Sequence, residues 1–289
     1  MSKIILSDNV IEIPSDKIGI DMGQTLSKIA YLDNNELFLS SFPTCTSLSE
    51  IKALLNKKKD QLKILNFTGG RSFKLYIEYS KDFISNLINE FEANVKGIEF
   101  IYSLEKKKDL PRSLIVTIGT GTSIILKNDN IMHLGGSALG GGFFMGIIKA
   151  LFNFYDFEKA INLAKRGNRY NLDLKVSDIY EPDDRRIDML FREFTAASLG
   201  KIDDQYEIKT LKEEDFINSI ICIIGENLGT IANTLADIHN IKEIVFCGGF
   251  LRDNKMLKKI LSLLCKLNSK KAIFLKNSEF GAAVGALRL

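Results

Sequence analysis

Two apolar segments of this chain each run directly into a short turn built from glycine and threonine. Residues 18–20 are followed by Asp-Met-Gly-Gln-Thr (21–25), and residues 114–118 are followed by Gly-Thr-Gly-Thr-Ser (119–123). Glycine lets backbone N–H groups approach phosphate oxygens closely, and hydroxyl groups add further donors. Either turn alone is also consistent with an ordinary hairpin, but the recurrence favours a nucleotide triphosphate held between two halves of the protein.

The order of elements around the two turns is similar, which predicts two related α/β halves. In the first half the pattern predicts strands at 18–20, 28–32, 37–41 and 64–67, and helices at 48–56 and 86–104. In the second it predicts strands at 114–118, 124–127, 131–134, 243–246 and 272–275, and helices from a glycine-rich loop at 135–142 to about 153, at 214–239 and at 280–289. Each half therefore begins as a three-strand meander, followed by helix, strand and helix.

The boundary between the halves is expected at Leu110-Pro111-Arg112, which gives an N-terminal half at residues 1–112 and a C-terminal half at 113–289. A length of 289 residues fits two domains, since single cores stop growing near 250–300 residues. Residues 164–202 are polar, include Pro182 and paired charges, and are predicted to form an insertion with only short helices. Ligands of such open sheets lie at the carboxyl ends of strands.

Composition excludes several classes of protein. The 45% hydrophobic content excludes global disorder, and a net charge of +3 gives no basic excess for nucleic acid. The lysine runs at 57–59 and 106–108 are interpreted as solvated helix ends. No uninterrupted apolar stretch reaches the length of a membrane span, and residues 1–17 lack a signal peptide's apolar core. We therefore expect a cytoplasmic protein that binds neither nucleic acid nor membrane.

The four cysteines are widely spaced and the chain has only two histidines, so no structural zinc site is expected. Cys222 and Cys247 lie in apolar runs and are interpreted as small buried side chains. This cysteine usage fits a reducing compartment.

Several residues near the glycine turns could act on a nucleotide. Asp21 is a candidate Mg²⁺ ligand, because Mg²⁺ is bound by few carboxylates together with substrate phosphates. Lys28 could reach a phosphate as a point charge. The loop at 135–142 leads into a helix N-terminus, whose N–H groups suit a phosphate, although a purely structural glycine corner is the alternative. Neither a P-loop nor a Rossmann fingerprint is present.

Together these motifs resemble those of type II pantothenate kinases, closest to the bacterial branch, within the actin/sugar-kinase/Hsp70-like (ASKHA) superfamily. The segments that carry the resemblance span nearly the whole chain in the family's order: GIDMGQTLSK (19–28), FTGG (67–70), EFEA (90–93), GTGTS (119–123), GGSALGGG (135–142), GNR (167–169), DLKV (173–176), IY (179–180) and GAAVGAL (281–287). The resemblance implies a two-domain ASKHA fold with duplicated mixed-sheet halves around a nucleotide cleft. It also implies a homodimer that uses ATP and Mg²⁺ to phosphorylate the primary hydroxyl of pantothenate, the first step of coenzyme A biosynthesis.

By position, the resemblance implies that Glu90 is the catalytic carboxylate, which accepts the hydroxyl proton as the oxygen attacks the γ-phosphoryl group. From the residues alone, Glu90 is also consistent with a first-turn acid favoured by the helix dipole. Further positions correspond to nucleotide contacts: Gly23, Gln24, Thr25, Leu26, Ser27, Lys28, Thr120, Gly121, Gly141, Gly142, Phe143, Phe144, Met145, Phe157 and Gly248.

The chain departs from the family pattern at four positions. Met22 and Gln24 stand where the family has a small residue and glycine, and Phe157 stands where it has an aromatic hydroxyl. His133 replaces an arginine near the acceptor, and an imidazole, unlike a guanidinium, titrates near neutral pH. We expect His133 and Arg169 to contact the acceptor.

Alternatives remain open for the acceptor and for the activity. If His133 merely ends a strand, Arg169 or Lys149 would serve in its place. The protein would then be interpreted either as a pantothenate kinase or as an ASKHA kinase for another small hydroxylated acceptor, such as an amino sugar. A non-enzymatic, actin-like nucleotide-binding assembly protein is the third interpretation, and it would not require an acid poised in the cleft.

Overall fold

The N-terminal half of the protein is a six-stranded sheet with three helices. The computed structural model describes residues 2–5 and 13–289. The strands are β1 (Ser2–Ile5), β2 (Lys17–Met22), β3 (Leu26–Asp33), β4 (Glu36–Pro43), β5 (Ile64–Thr68) and β6 (Ile84–Leu87). The helices are α1 (Ser47–Lys57), α2 (Phe73–Tyr79) and α3 (Glu90–Lys106).

The C-terminal half contains a five-stranded sheet, five helices and a small two-stranded ribbon. The strands of the sheet are β7 (Ser113–Ile118), β8 (Thr122–Lys127), β9 (Ile131–Ser137), β12 (Glu243–Cys247) and β13 (Lys271–Phe274). The ribbon is β10 (Leu174–Lys175) and β11 (Thr195–Ala197). The helices are α4 (Gly141–Phe152), α5 (Phe157–Ala164), α6 (Glu213–Ile238), α7 (Lys255–Leu267) and α8 (Gly281–Arg288).

Five strands of the N-terminal sheet repeat the order of the C-terminal sheet, which confirms the expected duplication. The N-terminal sheet has the order β1-β4-β3-β2-β5-β6, with β1 as an additional edge strand, and the C-terminal sheet has the order β13-β12-β7-β8-β9. In each, the first strand of an antiparallel meander also pairs in parallel with a later strand: β2 pairs with β5, which follows α1, and β7 pairs with β12, which follows α6. The carboxyl ends of β2 and β5 therefore lie together at one edge, and those of β7 and β12 lie together in the other sheet.

The sequence pattern missed helix α2 and strand β6 of the first half and helices α5 and α7 of the second. The helix predicted at 86–104 was wrong at its start, because residues 84–87 form the exposed edge strand β6 and α3 begins only at Glu90. Asn89 is the N-cap of α3 and accepts hydrogen bonds from the backbone of Phe91 and Glu92. The short helix α2 and helices α5 and α7 were not predicted.

Helices α3 and α8 each contact the sheet of the other half and so connect the two halves. Helix α8, the last element of the chain, packs on β2, β3 and β5 of the N-terminal sheet, whereas α3 contacts β8 and β9 of the C-terminal sheet. The two helices touch through glycines: a Cβ atom at Gly97 would lie 1.7 Å from the Gly281 oxygen, and one at Gly285 would lie 1.6 Å from the Ala93 oxygen. Only glycine allows the backbones to approach this closely.

Three apolar clusters form the core. One lies under the C-terminal sheet against α4, α5, α6 and α7, one lies between the sheets around α3 and α8, and one lies between the N-terminal sheet and helices α1 and α2. Within the described residues, α6 is long and apolar enough to cross a membrane by length and composition, but most of it is buried in the first cluster. A core helix passes the same test. Cys222 and Cys247 are buried thiols, as expected.

The region at 164–202 contains only short elements of secondary structure. Beyond the end of α5 it contains short 3₁₀ turns and the β10-β11 ribbon, and it packs against α6 through Asn168 and Asn171, both of which bond to Asp215. The lysine runs also match their interpretation, because α1 ends at Lys57 and α3 ends at Lys106.

Candidate active site

The two glycine-threonine turns meet across a cleft between the halves. The first turn connects β2 to β3 and is closed by a hydrogen bond from the Gly23 N–H to the Leu26 oxygen at 3.2 Å. The second connects β7 to β8 and is closed by a bond from the Gly119 N–H to the Gly121 oxygen at 2.8 Å. The hydroxyls of Thr25 and Thr120 lie 2.9 Å apart, so one side chain from each half reaches the same point.

A buried carboxylate lies at the start of the first turn. Asp21 is 5% exposed, and its Oδ2 accepts a hydrogen bond from Lys28 Nζ at 3.0 Å. The two residues face each other across the β2-β3 pair, which explains why a spacing of seven residues brings them together. On the other side, a Cβ atom at Gly69 would lie 2.6 Å from Asp21 Oδ1, and Gly69 has φ +88°. A side chain at position 69 would therefore collide with the second carboxylate oxygen.

Glu90 is the first residue of α3, and its charge is coupled to the charges of the first turn. Its pKa is raised above the usual glutamate range, first because neighbouring protein atoms reduce its hydration and second because the Asp21 carboxylate repels its negative charge. The Lys28 ammonium opposes both effects and lowers the pKa. The side chain is nevertheless exposed. Glu90 is therefore a carboxylate of increased basicity near the predicted phosphate turn.

His133 stands on β9 and stacks on the residue next to Glu90. The rings of His133 and Phe91 are 4.1 Å apart between centroids and nearly parallel, at 9°. This contact joins the C-terminal sheet to the N-terminal end of α3, and it leaves the imidazole exposed. His133 therefore does not merely end a strand: it lies beside the helix end that carries Glu90.

The glycine-rich loop supports the second turn. The N–H groups of Gly141 and Gly142 donate to the carbonyl oxygens of Gly119 and Thr120, each at 2.8 Å. A Cβ atom at Gly142 would lie 2.6 Å from the Thr120 methyl carbon. These two N–H groups are already paired, so the loop fixes the shape of the second turn rather than offering both groups to a phosphate.

An aromatic cluster lies behind this loop. Phe144 is fully buried and contacts the rings of Phe157 and Phe250 at centroid distances of 6.1 and 5.2 Å. Phe143 and Met145 are half-buried against the same core. Gly248 has φ +106°, and a Cβ atom there would lie 2.4 Å from the Ile118 oxygen, so this turn packs directly on the end of β7. The predicted nucleotide contacts of these residues stay predictions.

Comparison with known proteins places the chain in a family. The model of the Fumble family matches residues 35–288. A type II pantothenate kinase of Bacillus cereus (strain AH820) is 35% identical over 275 residues, which cover 93% of this chain and 96% of that protein. The type II pantothenate kinase of Oceanobacillus iheyensis is 32% identical over 273 residues, covering 94% and 98%. The chain belongs to the type II pantothenate kinase family.

A solved structure supports the ASKHA architecture of this family member. The ROK hexokinase of Thermus thermophilus superposes with a TM-score of 0.53 at 11% identity, covering 93% of this chain and 96% of that one. At this identity the likeness concerns the fold alone. The expected ASKHA fold is confirmed by this likeness and by the matching topology of the two sheets.

Arg169, which we expected at the acceptor, lies in a buried ion-pair network of this family member. Its Nε donates to Asp173 at 2.6 Å, and both terminal nitrogens contact the Glu226 carboxylate. Asp173 is fully buried and also accepts hydrogen bonds from Ser219 and from the Leu199 N–H. Lys149, the other candidate, lies over the ring of Tyr155 at 4.7 Å. Of the two expected acceptor contacts, only His133 is shown beside the end of α3.

Sequence reasoning missed two residues at the site. Phe91 was considered only as part of the EFEA segment (90–93), although it carries the stacked imidazole. Arg71 lies beside the first turn and donates a hydrogen bond to Gln24 at 2.7 Å. The sequence offered one signal for Arg71: it directly follows the Thr-Gly-Gly turn at 68–70. That turn ends β5, which is parallel to β2, so it lies beside the first glycine-threonine turn.

Proposed function

We propose that this chain transfers the γ-phosphoryl group of ATP to the primary hydroxyl of pantothenate, forming 4'-phosphopantothenate in the first step of coenzyme A biosynthesis. Membership of the type II pantothenate kinase family supports this activity. The observation that carries it is the position of Glu90, a carboxylate with a raised pKa that is coupled to Asp21 and Lys28 of the first turn. A cytoplasmic homodimer is proposed as the working form.

The nucleotide binds between the halves, with its phosphates at the two turns. The Thr25 and Thr120 hydroxyls come from opposite halves and can both donate to phosphate oxygens. Lys28 faces the same region and supplies a positive charge. The proposal extends to the other predicted nucleotide contacts on the turns: Gly23, Leu26, Ser27, Gly121 and the main chain of Gln24. Such positioning supplies much of the catalysis in phosphoryl transfer.

Asp21 fits a magnesium ion. Its Oδ1 lies against Gly69, where a side chain would fill the space, while its Oδ2 bonds to Lys28. Among residues 2–5 and 13–289, no group of three or more histidine, cysteine or acidic side chains could hold a metal. One carboxylate agrees with Mg²⁺, which is bound mainly by phosphates and water. When bound, the ion neutralises charge on the phosphates.

Glu90 acts as the general base. Its raised pKa increases its affinity for the proton that the acceptor hydroxyl loses, and its exposed position at the start of α3 leaves it open to a substrate. The Asn89 cap fixes this end of the helix, so the carboxylate is presented from a rigid element. Phe91 directs the ring plane of His133, which contacts the acceptor next to the base.

A coupled assay of ADP release tests the proposal. We expect turnover with pantothenate and no turnover with amino sugars. Glu90→Gln is expected to lower kcat by about 10²–10⁴, the usual contribution of a general base, with little change in ATP affinity. Glu92→Gln is the matched control, since Glu92 is two residues along the same exposed helix end. Near-normal turnover of Glu90→Gln would remove the assignment of the base.

One observation favours a second acceptor. His133 occupies the position at which the family resemblance implies an arginine, and it carries no permanent charge for a carboxylate. An ASKHA kinase for an uncharged hydroxylated compound would fit a histidine. Turnover with such an acceptor, together with no turnover of pantothenate at any pH, would favour this second function.

A further inference from the structure

Arg71 is fixed against the first phosphate turn by both its main chain and its side chain. Its N–H donates to the Met22 oxygen at 3.0 Å, and its Nε donates to Gln24 Oε1 at 2.7 Å. Arg71 lies within a turn formed by residues 69–72. This turn is closed by Ser72, whose N–H and hydroxyl both donate to the Gly69 oxygen. The guanidinium of Arg71 therefore has a defined place beside residues 22–24.

The rest of that guanidinium is uncommitted. Among the described residues, neither Nη1 nor Nη2 of Arg71 has a hydrogen-bond acceptor or an acidic partner, and the side chain is exposed. Arg169 differs, because two carboxylates occupy all three of its nitrogens. Two adjacent N–H₂ groups with free donors form a fork that matches the oxygens of a phosphate.

The side-chain charges around the turn favour an additional cation. Asp21 and Glu90 contribute two carboxylates, and Lys28, which lies near both, already donates to Asp21. Without a bound magnesium ion these three groups sum to a charge of −1, which disfavours the approach of an anionic triphosphate. Arg71 is the added positive charge on the same side of the cleft, since β2 and β5 are parallel neighbours whose carboxyl ends coincide.

We propose that Arg71 binds phosphate oxygens of the nucleotide through its two terminal nitrogens, and that Gln24 is a positioning residue that holds its Nε. The identity of the nucleotide as ATP rests on the proposed function. Gln24 stands where glycine is expected from the family pattern. A glycine has no side chain, so the hydrogen bond that holds the Arg71 Nε could not form with the residue that the pattern predicts. The two residues together form a phosphate-binding unit in this chain.

Calorimetry with a non-hydrolysable ATP analogue and with adenosine tests the contact. For Arg71→Ala we expect the Kd of the ATP analogue to rise roughly 10- to 150-fold, as for the loss of a charge-assisted hydrogen bond, and the Kd of adenosine to stay unchanged. Arg112→Ala is the matched control. Arg112 is also exposed. It lies directly before β7, whereas the second turn lies directly after that strand, so Arg112 is at the opposite end of the strand from the turn. An unchanged Kd for the analogue, or an equal loss for adenosine, would overturn the proposal.

The position of Gln24 is tested by a double variant. If Gln24 acts through Arg71, Gln24→Leu weakens binding of the analogue less than Arg71→Ala does, and adding it to Arg71→Ala causes no further loss. Additive losses would overturn the positioning role. Arg71→Lys is expected to recover part of the affinity, since a lysine keeps the charge but not the fork.

Turnover separates phosphate from carboxylate as the anion that Arg71 binds. We expect Arg71→Ala to lower kcat/KM equally with pantothenate and with pantothenyl alcohol, which lacks the carboxylate. A loss confined to pantothenate would assign Arg71 to the acceptor and overturn the proposal. If the wild-type protein phosphorylates neither compound, the proposed function fails, but the comparison of the ATP analogue with adenosine still decides the role of Arg71.

Discussion

The hydroxyl of Thr25 lies 2.9 Å from the hydroxyl of Thr120, although 95 residues separate them in the chain. Each belongs to the first turn of one half, and the two halves have the same strand order. The contact therefore joins equivalent points of a duplicated fold. We expect a triphosphate that enters between the turns to replace this single bond by bonds from both hydroxyls to its own oxygens.

Binding of ATP is expected to protect both turns at once. In hydrogen exchange with a non-hydrolysable ATP analogue, the amides of residues 22–25 and 119–122 slow together, because the ligand bridges the halves and closes the cleft. Thr25→Val and Thr120→Val are each expected to weaken the analogue by about 0.5–1.5 kcal/mol, the net value of a neutral hydrogen bond. Protection confined to residues 119–122 would contradict a clamp built from both halves.

The pH profile of turnover is expected to report the environment of Glu90. A base must be deprotonated, so kcat falls as pH drops through its pKa. Since that pKa is raised, the fall begins at a higher pH than for an ordinary glutamate. Lys28→Met removes the group that lowers the pKa of Glu90, so we expect the acid limb of kcat to move to higher pH. Asp21→Asn removes a group that raises the pKa of Glu90, so we expect the acid limb to move to lower pH. Both variants also lose activity, so the midpoint of the limb is the quantity to compare.

Glu92→Gln serves as the control for this profile. Its charge is removed from the same helix end, but Glu92 is absent from the causes of the Glu90 shift. We expect its acid limb to coincide with that of the wild type. If the acid limb of kcat stays fixed in Lys28→Met and Asp21→Asn, or moves in the directions opposite to those expected, Glu90 is not the titrating base.

The fold could be predicted from the sequence where strands are apolar and their turns are chemically explicit. The β3-β4 hairpin is an example: Asn34 and Asn35 have φ of 48° and 61°, as a two-residue turn between strands requires. The edge strand β6 could not be predicted, because Ile84 and Leu87 are exposed and the segment gains its structure only by pairing with β5. The contact of α3 and α8 with the sheet of the other half is likewise a tertiary feature, which local patterns do not encode.

The site was predictable where it follows the ends of strands. The turns at 21–25 and 119–123 and the residue Glu90 were identified, although the start of α3 was not, and the structure brings the two turns together. Side-chain contacts between distant segments were not predictable. Arg71 and Gln24 are 47 residues apart, and the stack of Phe91 on His133 joins separate sheets and helices. The ion pair of Arg169 with Glu226 was also not predictable, because 57 residues separate the two side chains.

The contact between α3 and α8 is expected to be sensitive to a single methyl group. In Gly97→Ala the new Cβ would lie 1.7 Å from the Gly281 oxygen, a backbone atom that cannot move alone, so the helices must separate. Overpacking of this kind costs about 1–3 kcal/mol or more. Gly146→Ala is the matched control in α4, where nothing lies within 4 Å of the added atom. There the better helix propensity is expected to stabilise the protein by about 0.5–1 kcal/mol. Urea unfolding measures the change in the free energy of unfolding for Gly97→Ala and for Gly146→Ala. If both substitutions change it in the same direction, the close packing of α3 on α8 is contradicted.

Arg169 is expected to act on stability before it acts on substrate. Arg169→Met leaves the fully buried Asp173 without its cationic partner, and breaking a buried pair in this way lowers the free energy of unfolding by about 3–5 kcal/mol. Glu226→Gln is expected to cost less, because the Glu226 side chain is 33% exposed. In Arg169→Lys, which keeps a positive charge, the KM for pantothenate is expected to stay unchanged. A raised KM with unaltered stability would make Arg169 a substrate contact after all.

His133 is expected to determine how strongly the acceptor carboxylate is bound. The stack on Phe91 holds the ring at 4.1 Å and 9°, beside the helix end that carries Glu90. His133→Arg adds a permanent charge, and one charge-assisted hydrogen bond of about 1.5–3 kcal/mol lowers the KM for pantothenate roughly 10- to 150-fold. Pantothenyl alcohol, which has no carboxylate, is expected to show no gain. Phe91→Leu, which removes the stack but keeps an apolar side chain, is expected to weaken pantothenate without moving the acid limb of kcat. A KM for pantothenate that is unchanged in both variants would show that His133 does not contact the acceptor.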